Sequence, residues 1–199
     1  MSSGVTDRLR FLRSFLAHPR QVGAVLPTSR RAVRDMLDLA DLEHARLVVE
    51  LGAGTGVHTA ALLERLGPHA ELIAFEIDPG LADGLQRRLP DPRLRVVAGS
   101  AEDVSEVLAG RRPQVVVSAL PFTSLPAGTG RLILERTRGV LAAGGVLLVL
   151  QYSPLLAAEL SRLFGSVTRR VSLLNVPPAF LFACRDPRPT TPNGSTAAL

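Results

Sequence analysis

Val48-Val-Glu-Leu-Gly-Ala-Gly-Thr-Gly56 passes without a break from a β-branched run into three closely spaced glycines. The valines and leucines have strand chemistry. Glycine has no Cβ, so it lets the backbone reverse sharply and lets a ligand approach its peptide groups. Residues 57–66 then carry apolar side chains at helical spacing, which predicts a strand, a tight turn and a helix in succession. The glycines are spaced Gly-x-Gly-x-Gly and not Gly-x-Gly-x-x-Gly, so the dinucleotide fingerprint is not met. Twenty residues beyond Gly56, Glu76 closes a second apolar run. A carboxylate in that place is suited to accept hydrogen bonds from both hydroxyls of a ribose.

Outward from this unit, short apolar runs alternate with helical stretches. Strands are predicted over 47–51, 72–76, 94–98, 114–119, 146–151, 167–174 and 179–185, and helices over 57–66, 79–89, part of 101–109, 128–141 and 154–164. This is the pattern of an α/β fold, a mostly parallel seven-stranded sheet with helices on both faces. The last two strands are separated only by Asn175-Val-Pro-Pro178, so they are expected to close the sheet as an antiparallel hairpin. A chain of 199 residues has room for one such core. Its apolar stretch around 140–150 is broken by Gly144-Gly145 and falls short of the roughly 20 residues a membrane span requires.

The N-terminal region, 1–40, reads differently from the catalytic region expected over 41–185. Val5, Leu9, Leu12 and Leu16 form one stripe at spacings of 4, 3 and 4, with Arg10 and Arg13 opposite, which predicts an amphipathic helix. Such a helix suits either a membrane surface or the cover of a sheet. A second helix is expected from an N-cap at Ser29 to about Leu39. Residues 1–34 hold seven arginines against one acid, Asp7, a balance of +6 where the whole chain carries +5. That asymmetry points to an anionic partner, a phospholipid surface or a nucleic acid. Residues 186–199 have the composition of a disordered tail. There is no signal-peptide pattern, and Cys184, the single cysteine, lies in an apolar run and is expected to be buried and inert, so a cytoplasmic protein is expected, peripheral on the inner membrane face. No metal site is expected.

The segment Glu50-Leu-Gly-Ala-Gly-Thr-Gly56 resembles the glycine loop of the class I methyltransferases, which have a Rossmann-like fold and use S-adenosylmethionine as methyl donor, releasing S-adenosylhomocysteine. The resemblance implies that Glu50 holds the amino-acid end of the cofactor and that Gly52, Ala53, Gly54, Thr55 and Gly56 form the turn around it. It implies further that Glu76 and Ile77 bind the nucleoside. Ala98-Gly-Ser-Ala-Glu102 is similar to the family's Gly-Asp-Ala segment at adenine, implicating Ser100, Ala101 and Glu102, with Ser100 in place of the usual aspartate. Ser118-Ala-Leu-Pro-Phe122 resembles the Asn/Ser-x-x-Pro-aromatic loop of amine methyltransferases, which makes Ser118, Leu120, Pro121 and Phe122 candidates for positioning an amine. Tyr152, the one tyrosine, follows the fifth strand and is a further candidate.

Gln21-Val-Gly-Ala-Val-Leu-Pro-Thr-Ser29, taken with the Pro-Phe loop, resembles the bacterial phospholipid N-methyltransferases, which convert phosphatidylethanolamine toward phosphatidylcholine. The expected partners are then an anionic membrane surface and a phospholipid, with Arg20, Thr28, Ser29, Arg30 and Arg31 placed to hold a lipid phosphate. Ribosomal RNA adenine dimethyltransferases share the glycine loop, the acid of the second strand and a similar Pro-aromatic loop, and a basic end would suit RNA. Small-amine methylation and a non-catalytic module that binds S-adenosylmethionine are the other readings.

Overall fold

The computed structural model describes residues 29–173 and 177–186. The predicted helix over 5–16, Arg20, Thr28, Asn175, Val176 and the tail beyond Asp186 lie outside the described residues. In chain order the elements are α1 (Arg30–Leu37), β1 (Leu47–Leu51), α2 (Val57–Leu63), β2 (Glu71–Glu76), α3 (Pro79–Arg88), β3 (Leu94–Ala98), α4 (Val104–Leu108), β4 (Val115–Ser118), α5 (Thr129–Val140), β5 (Val146–Gln151), α6 (Ala157–Leu163), β6 (Ser166–Ser172) and β7 (Ala179–Arg185). Single 3₁₀ turns at Ala101–Asp103, Phe122–Ser124 and Pro154–Leu156 introduce α4, the β4–α5 connection and α6. Four of these elements begin on a residue whose side chain caps them. The Ser29, Asp78, Ser100 and Ser153 side chains accept backbone N–H bonds at the starts of α1, α3 and the first and third 3₁₀ turns.

The strands form one sheet in the order β3-β2-β1-β4-β5-β7-β6. The first five are mutually parallel, and β7 runs antiparallel between β5 and β6. The predicted hairpin therefore folds back so that its second strand takes the inner place. Composition explains that order. Ala179-Phe-Leu-Phe-Ala-Cys-Arg185 is buried nearly throughout, whereas Thr168, Arg169, Arg170 and Val171 of β6 are exposed, as charged and polar edge strands usually are.

Strand residues alternate between two apolar layers. Val48, Leu72, Val117 and Leu148 pack toward α1, α2 and α3, while Val49, Ile73, Val116 and Leu147 pack toward α4, α5 and α6. Burial on both faces is why the central strands read as continuous apolar runs. Cys184 sits in the second layer, and burial pushes its thiol up to about 12, which leaves it inert at neutral pH. The loops that follow β1 to β5 all emerge at the carboxyl end of the sheet. β1 is flanked by β2 on one side and β4 on the other, so a crevice opens there, where open α/β sheets bind ligands.

Candidate active site

The glycine loop leaves β1 with Gly52, Gly54 and Gly56 all in the left-handed region, at φ of +80°, +55° and +85°. That backbone is costly for residues with a Cβ, which accounts for three glycines in five residues. The Gly52 and Ala53 amides both donate to the Phe75 carbonyl at 2.9 Å, and the Gly54 amide donates to Glu76 Oε2 at 2.7 Å. Glu76 Oε1 accepts from the Asp78 amide at 2.9 Å. One buried carboxylate thus ties the end of β2 to the turn after β1, and two of its roughly four acceptor positions remain for a ligand.

The three glycines do different work. A Cβ on Gly54 would meet nothing within 4 Å, so its peptide faces open space. A Cβ on Gly52 would sit 2.5 Å from Leu120 Cδ2, and one on Gly56 2.5 Å from Leu85 Cδ1. Gly52 therefore admits the loop after β4, and Gly56 admits α3 against α2.

Between these elements lies a cleft of about 820 Å³, open mouth included. Gly52, Gly54, Glu76 and Ile77 form one wall, and Ser100, Ala101 and Glu102 form the next. Leu120 and Pro121 close it on the β4 side. Ala53 is buried beneath the turn and Thr55 points to solvent, so neither joins Gly54 on the cleft wall. The far wall comes from Leu125, Pro126, Thr129 and Ile133, a stretch that carries no motif, and Phe75 adds an aromatic face at the bottom. The lining is mainly apolar, with Glu76 at one edge, which suits a flat heterocycle carrying a sugar.

Glu50 lies beneath the turn and is buried. Its Oε2 accepts from the Thr59 hydroxyl at 2.6 Å, while Oε1 has no partner among the described residues. Burial pushes this carboxyl up to about 7; the Thr59 bond opposes the rise and the charge of Glu76 adds to it. His58, in the first turn of α2, is also buried with Nε2 unpartnered among the described residues, and burial pushes it down to about 4. Unpaired buried groups of this kind concentrate at ligand sites.

Their effects on stability oppose one another. Glu50 keeps its proton to about pH 7 in the folded chain but loses it near 4.5 when unfolded, so it lowers stability as pH rises from 4.5 to 7. His58 stays neutral to about pH 4 when folded but takes a proton near 6.5 when unfolded, so it lowers stability as pH falls from 6.5 to 4. Between about pH 4.5 and 6.5 folded and unfolded chains hold one proton each from this pair, and the two trends cancel. Glu50→Gln is expected to raise stability at pH 8 by about 1–3 kcal/mol and to leave a chain that weakens below pH 6.5. Denaturant midpoints at pH 5, 6.5 and 8 measure this. Parallel curves for the two proteins would refute the assignment.

Residues 48–145 match a family described as the methyltransferase domain. Over 184 residues, 90% of the chain and 96% of the relative, the sequence is 32% identical to the ornithine lipid N-methyltransferase of Singulisphaera acidiphila. The chain belongs to the class I S-adenosylmethionine-dependent methyltransferases. It is also 40% identical over 96 residues to ribosomal RNA small subunit methyltransferase A of Cutibacterium acnes, a match to 45% of this chain and 31% of that longer protein. Among solved structures, the N-methyltransferase NodS of Bradyrhizobium japonicum in complex with S-adenosyl-L-homocysteine superposes with a TM-score of 0.64 at 17% identity, covering 91% of this chain and 98% of that one. That likeness is one of fold.

The cleft of this methyltransferase fits its cofactor. The Gly54 peptide is bare where a Cβ would fill the space, an acid stands beside it, and an apolar wall faces both. The loop after β4 is arranged less simply than its motif suggests. Ser118 is fully buried and its Oγ accepts from the Leu120 amide at 3.3 Å, so the hydroxyl braces the loop and does not face the cleft. Pro121 then turns the chain, with the Phe122 amide donating to the Leu120 carbonyl at 2.9 Å. That turn carries the Phe122 ring into the apolar layer under α5, away from the cleft lining where it was expected to help position an amine. Tyr152 packs, half-buried, against the opposite layer beside α1 and is likewise outside the lining. Ala119, Leu120 and Pro121 are the members of the loop that reach the cleft.

Gln151 is a functional candidate that sequence reasoning missed. Its buried Nε2 donates to the Leu120 carbonyl and to the Leu150 carbonyl, both at 2.7 Å. The last residue of β5 thereby clamps the loop after β4 across the sheet end. Gln151→Leu is expected to lower kcat by about tenfold to a hundredfold through misalignment, with S-adenosylhomocysteine affinity little changed. Equal losses in both quantities would assign the amide to support of the cleft as a whole. A polar residue ending an otherwise apolar strand was the available signal.

Ser29 caps α1 as expected, its Oγ accepting from the Ala32 amide at 3.1 Å, and Arg31 stands 4.0 Å from Asp35 while Arg30 is exposed. None of the three lines the cleft.

Proposed function

We propose that this methyltransferase acts on the primary amine of a membrane aminolipid, converting phosphatidylethanolamine stepwise toward phosphatidylcholine. The observation that carries this reading is the 32% identity with a lipid N-methyltransferase along 96% of that relative's length. A match of that extent reaches well beyond residues 48–145, the span of the methyltransferase domain. Phosphatidylethanolamine is the acceptor implied by the resemblance of the N-terminal and Pro-Phe segments. The ornithine lipid used by that relative also presents a primary amine, and it is the second acceptor to be tested.

The chemistry asks little of the protein. S-adenosylmethionine supplies a methyl group already activated on a sulfonium, so the chain must align a neutral amine with it and exclude water. Glu76 would hold the ribose hydroxyls with its two remaining acceptor positions, and the Gly52–Gly54 peptides would lie against the amino-acid end with Glu50 Oε1 beneath them. Ile77, Ala101 and Leu120 would sandwich the adenine. The clamped Leu120–Pro121 turn would set the floor on which the amine stands. A primary ammonium has a pKa near 10, and the apolar surroundings favour its neutral, nucleophilic form.

RNA methylation is less well supported. The matching part of the ribosomal RNA methyltransferase is about a third of that protein, and the Ser118 hydroxyl is turned into the loop, away from a base edge. The test is transfer of a labelled methyl group to vesicles containing phosphatidylethanolamine, to vesicles containing ornithine lipid, and to ribosomal RNA. Label in phosphatidylethanolamine is expected. Label confined to ornithine lipid would correct the acceptor, and label in RNA alone would overturn the reading.

A further inference from the structure

We infer that the carboxyl end of the sheet is a membrane-docking face, with Leu155 and Leu173 entering the interfacial layer of an anionic bilayer around the mouth of the cleft. The inference rests on the aminolipid reading and names the surface through which that substrate is reached. Among the described residues the large apolar side chains left exposed are Val57, Leu132, Leu155, Val171 and Leu173. All five lie toward one end of the molecule. Val57 opens α2 just after the glycine loop, Leu132 stands in the first turn of α5, and Leu155 lies in the turn after β5. Val171 and Leu173 lie at the end of β6, where Ser172 pairs with Ala179 and Gln151 with Phe180, so β5 and β6 finish at the same level. Leu155 and Leu173 are 76% and 75% exposed, and they follow strands whose axes are two sheet spacings, about 10 Å, apart.

The opposite end of the sheet carries none of these exposed large apolar side chains among the described residues. Its loops carry paired charges, Arg65 with Asp38, Arg93 with Asp91, Arg111 with Glu71 and His44 with Asp41. At the carboxyl end, Arg30 begins α1 above the level of Asp35, whose carboxylate meets Ser172 at the end of β6. Arg30 is exposed and has no ion-pair partner among the described residues, as is true of Arg170 three residues before Leu173. Apolar tips rimmed by uncompensated arginines are complementary to an anionic headgroup layer, with the leucines entering the acyl boundary and the guanidinium groups remaining among phosphates. A second copy seated on this rim would cover the cleft mouth, whereas a bilayer seated there brings headgroup amines to it.

The experiment uses the full chain and sedimentation with vesicles of phosphatidylglycerol and phosphatidylethanolamine. Leu155→Asp with Leu173→Asp is expected to weaken vesicle partition by about tenfold or more. S-adenosylhomocysteine affinity, thermal midpoint and methyl transfer to a monomeric short-chain phosphatidylethanolamine should be retained. Since the chain contains no tryptophan, Leu155→Trp supplies a single reporter, whose emission is expected to shift to the blue when vesicles are added. Wild-type partition in the double variant, or an unshifted tryptophan in protein that sediments with vesicles, would overturn the inference. So would a fall in molar mass of the double variant by light scattering with partition unchanged, which would make the rim a contact between copies. If the rim docks and no lipid takes up label, the acceptor reading fails by itself. If lipid is labelled and the double variant docks as the wild type does, the docking face fails by itself.

Discussion

Gly54→Ala is expected to leave a folded protein that takes up S-adenosylhomocysteine about a hundredfold more weakly. The new Cβ meets nothing within 4 Å in the free molecule, so the folded chain bears chiefly the cost of a left-handed alanine, about 1–2 kcal/mol. The same methyl projects into the cleft, where a ligand lying against the peptide would be displaced, and overpacking of that kind costs about 1–3 kcal/mol. Gly56→Ala reverses the balance. Its Cβ would stand 2.5 Å from the Leu85 side chain, which is fully buried and has nowhere to swing. A stability loss of about 2–4 kcal/mol is expected there, with cofactor affinity of the remaining folded protein much less changed. Denaturant unfolding and titration calorimetry on both variants separate the two roles. Equal loss of affinity in both would show that the loop acts through its overall shape and not through a bare peptide at Gly54.

Glu76→Ala is expected to weaken S-adenosylhomocysteine binding by two to three orders of magnitude. The substitution removes a charged acceptor from the ribose and also releases the Gly54 and Asp78 amides that the carboxylate holds at 2.7 and 2.9 Å. Hydrogen bonds to a charged group contribute about 1.5–3 kcal/mol each, and more than one is lost. Glu76→Gln keeps one acceptor oxygen and should fall between the two, near a tenfold loss. Calorimetry on folded protein measures all three, and unchanged affinity in Glu76→Ala would remove the ribose assignment.

The parts of this enzyme legible in its sequence are those governed by local chemistry. Three glycines are demanded by positive φ at positions 52, 54 and 56, so the turn could be read from residue types alone. The five parallel strands and the Ser29 cap were equally legible, because apolar runs and N-caps are local signals. Several helices proved shorter than their apolar pattern; α2 ends at Leu63 because Gly67 and Pro68 draw the chain into the next turn. The place of β7 between β5 and β6 depends on which strand the sheet can afford to expose, a property of the whole assembly.

The site shows the same division. Glu76, Ile77 and Ser100 to Glu102 reached the cleft because each closes or directly follows a strand at its carboxyl end. Phe122 did not, because the turn at Pro121 redirects its ring, and Ser118 did not, because its hydroxyl meets the Leu120 amide. The wall from Leu125 to Ile133 and the Gln151 clamp come from elements brought together only by folding, so no spacing in the chain announces them.

The most direct measurement is a crystal structure of the full chain with S-adenosylhomocysteine. The nucleoside is expected in the cleft between Gly54 and Leu120, with both ribose hydroxyls within hydrogen-bond distance of the Glu76 carboxylate. Density for the nucleoside elsewhere, or a ribose in the cleft that makes no contact with Glu76, would contradict the site described above.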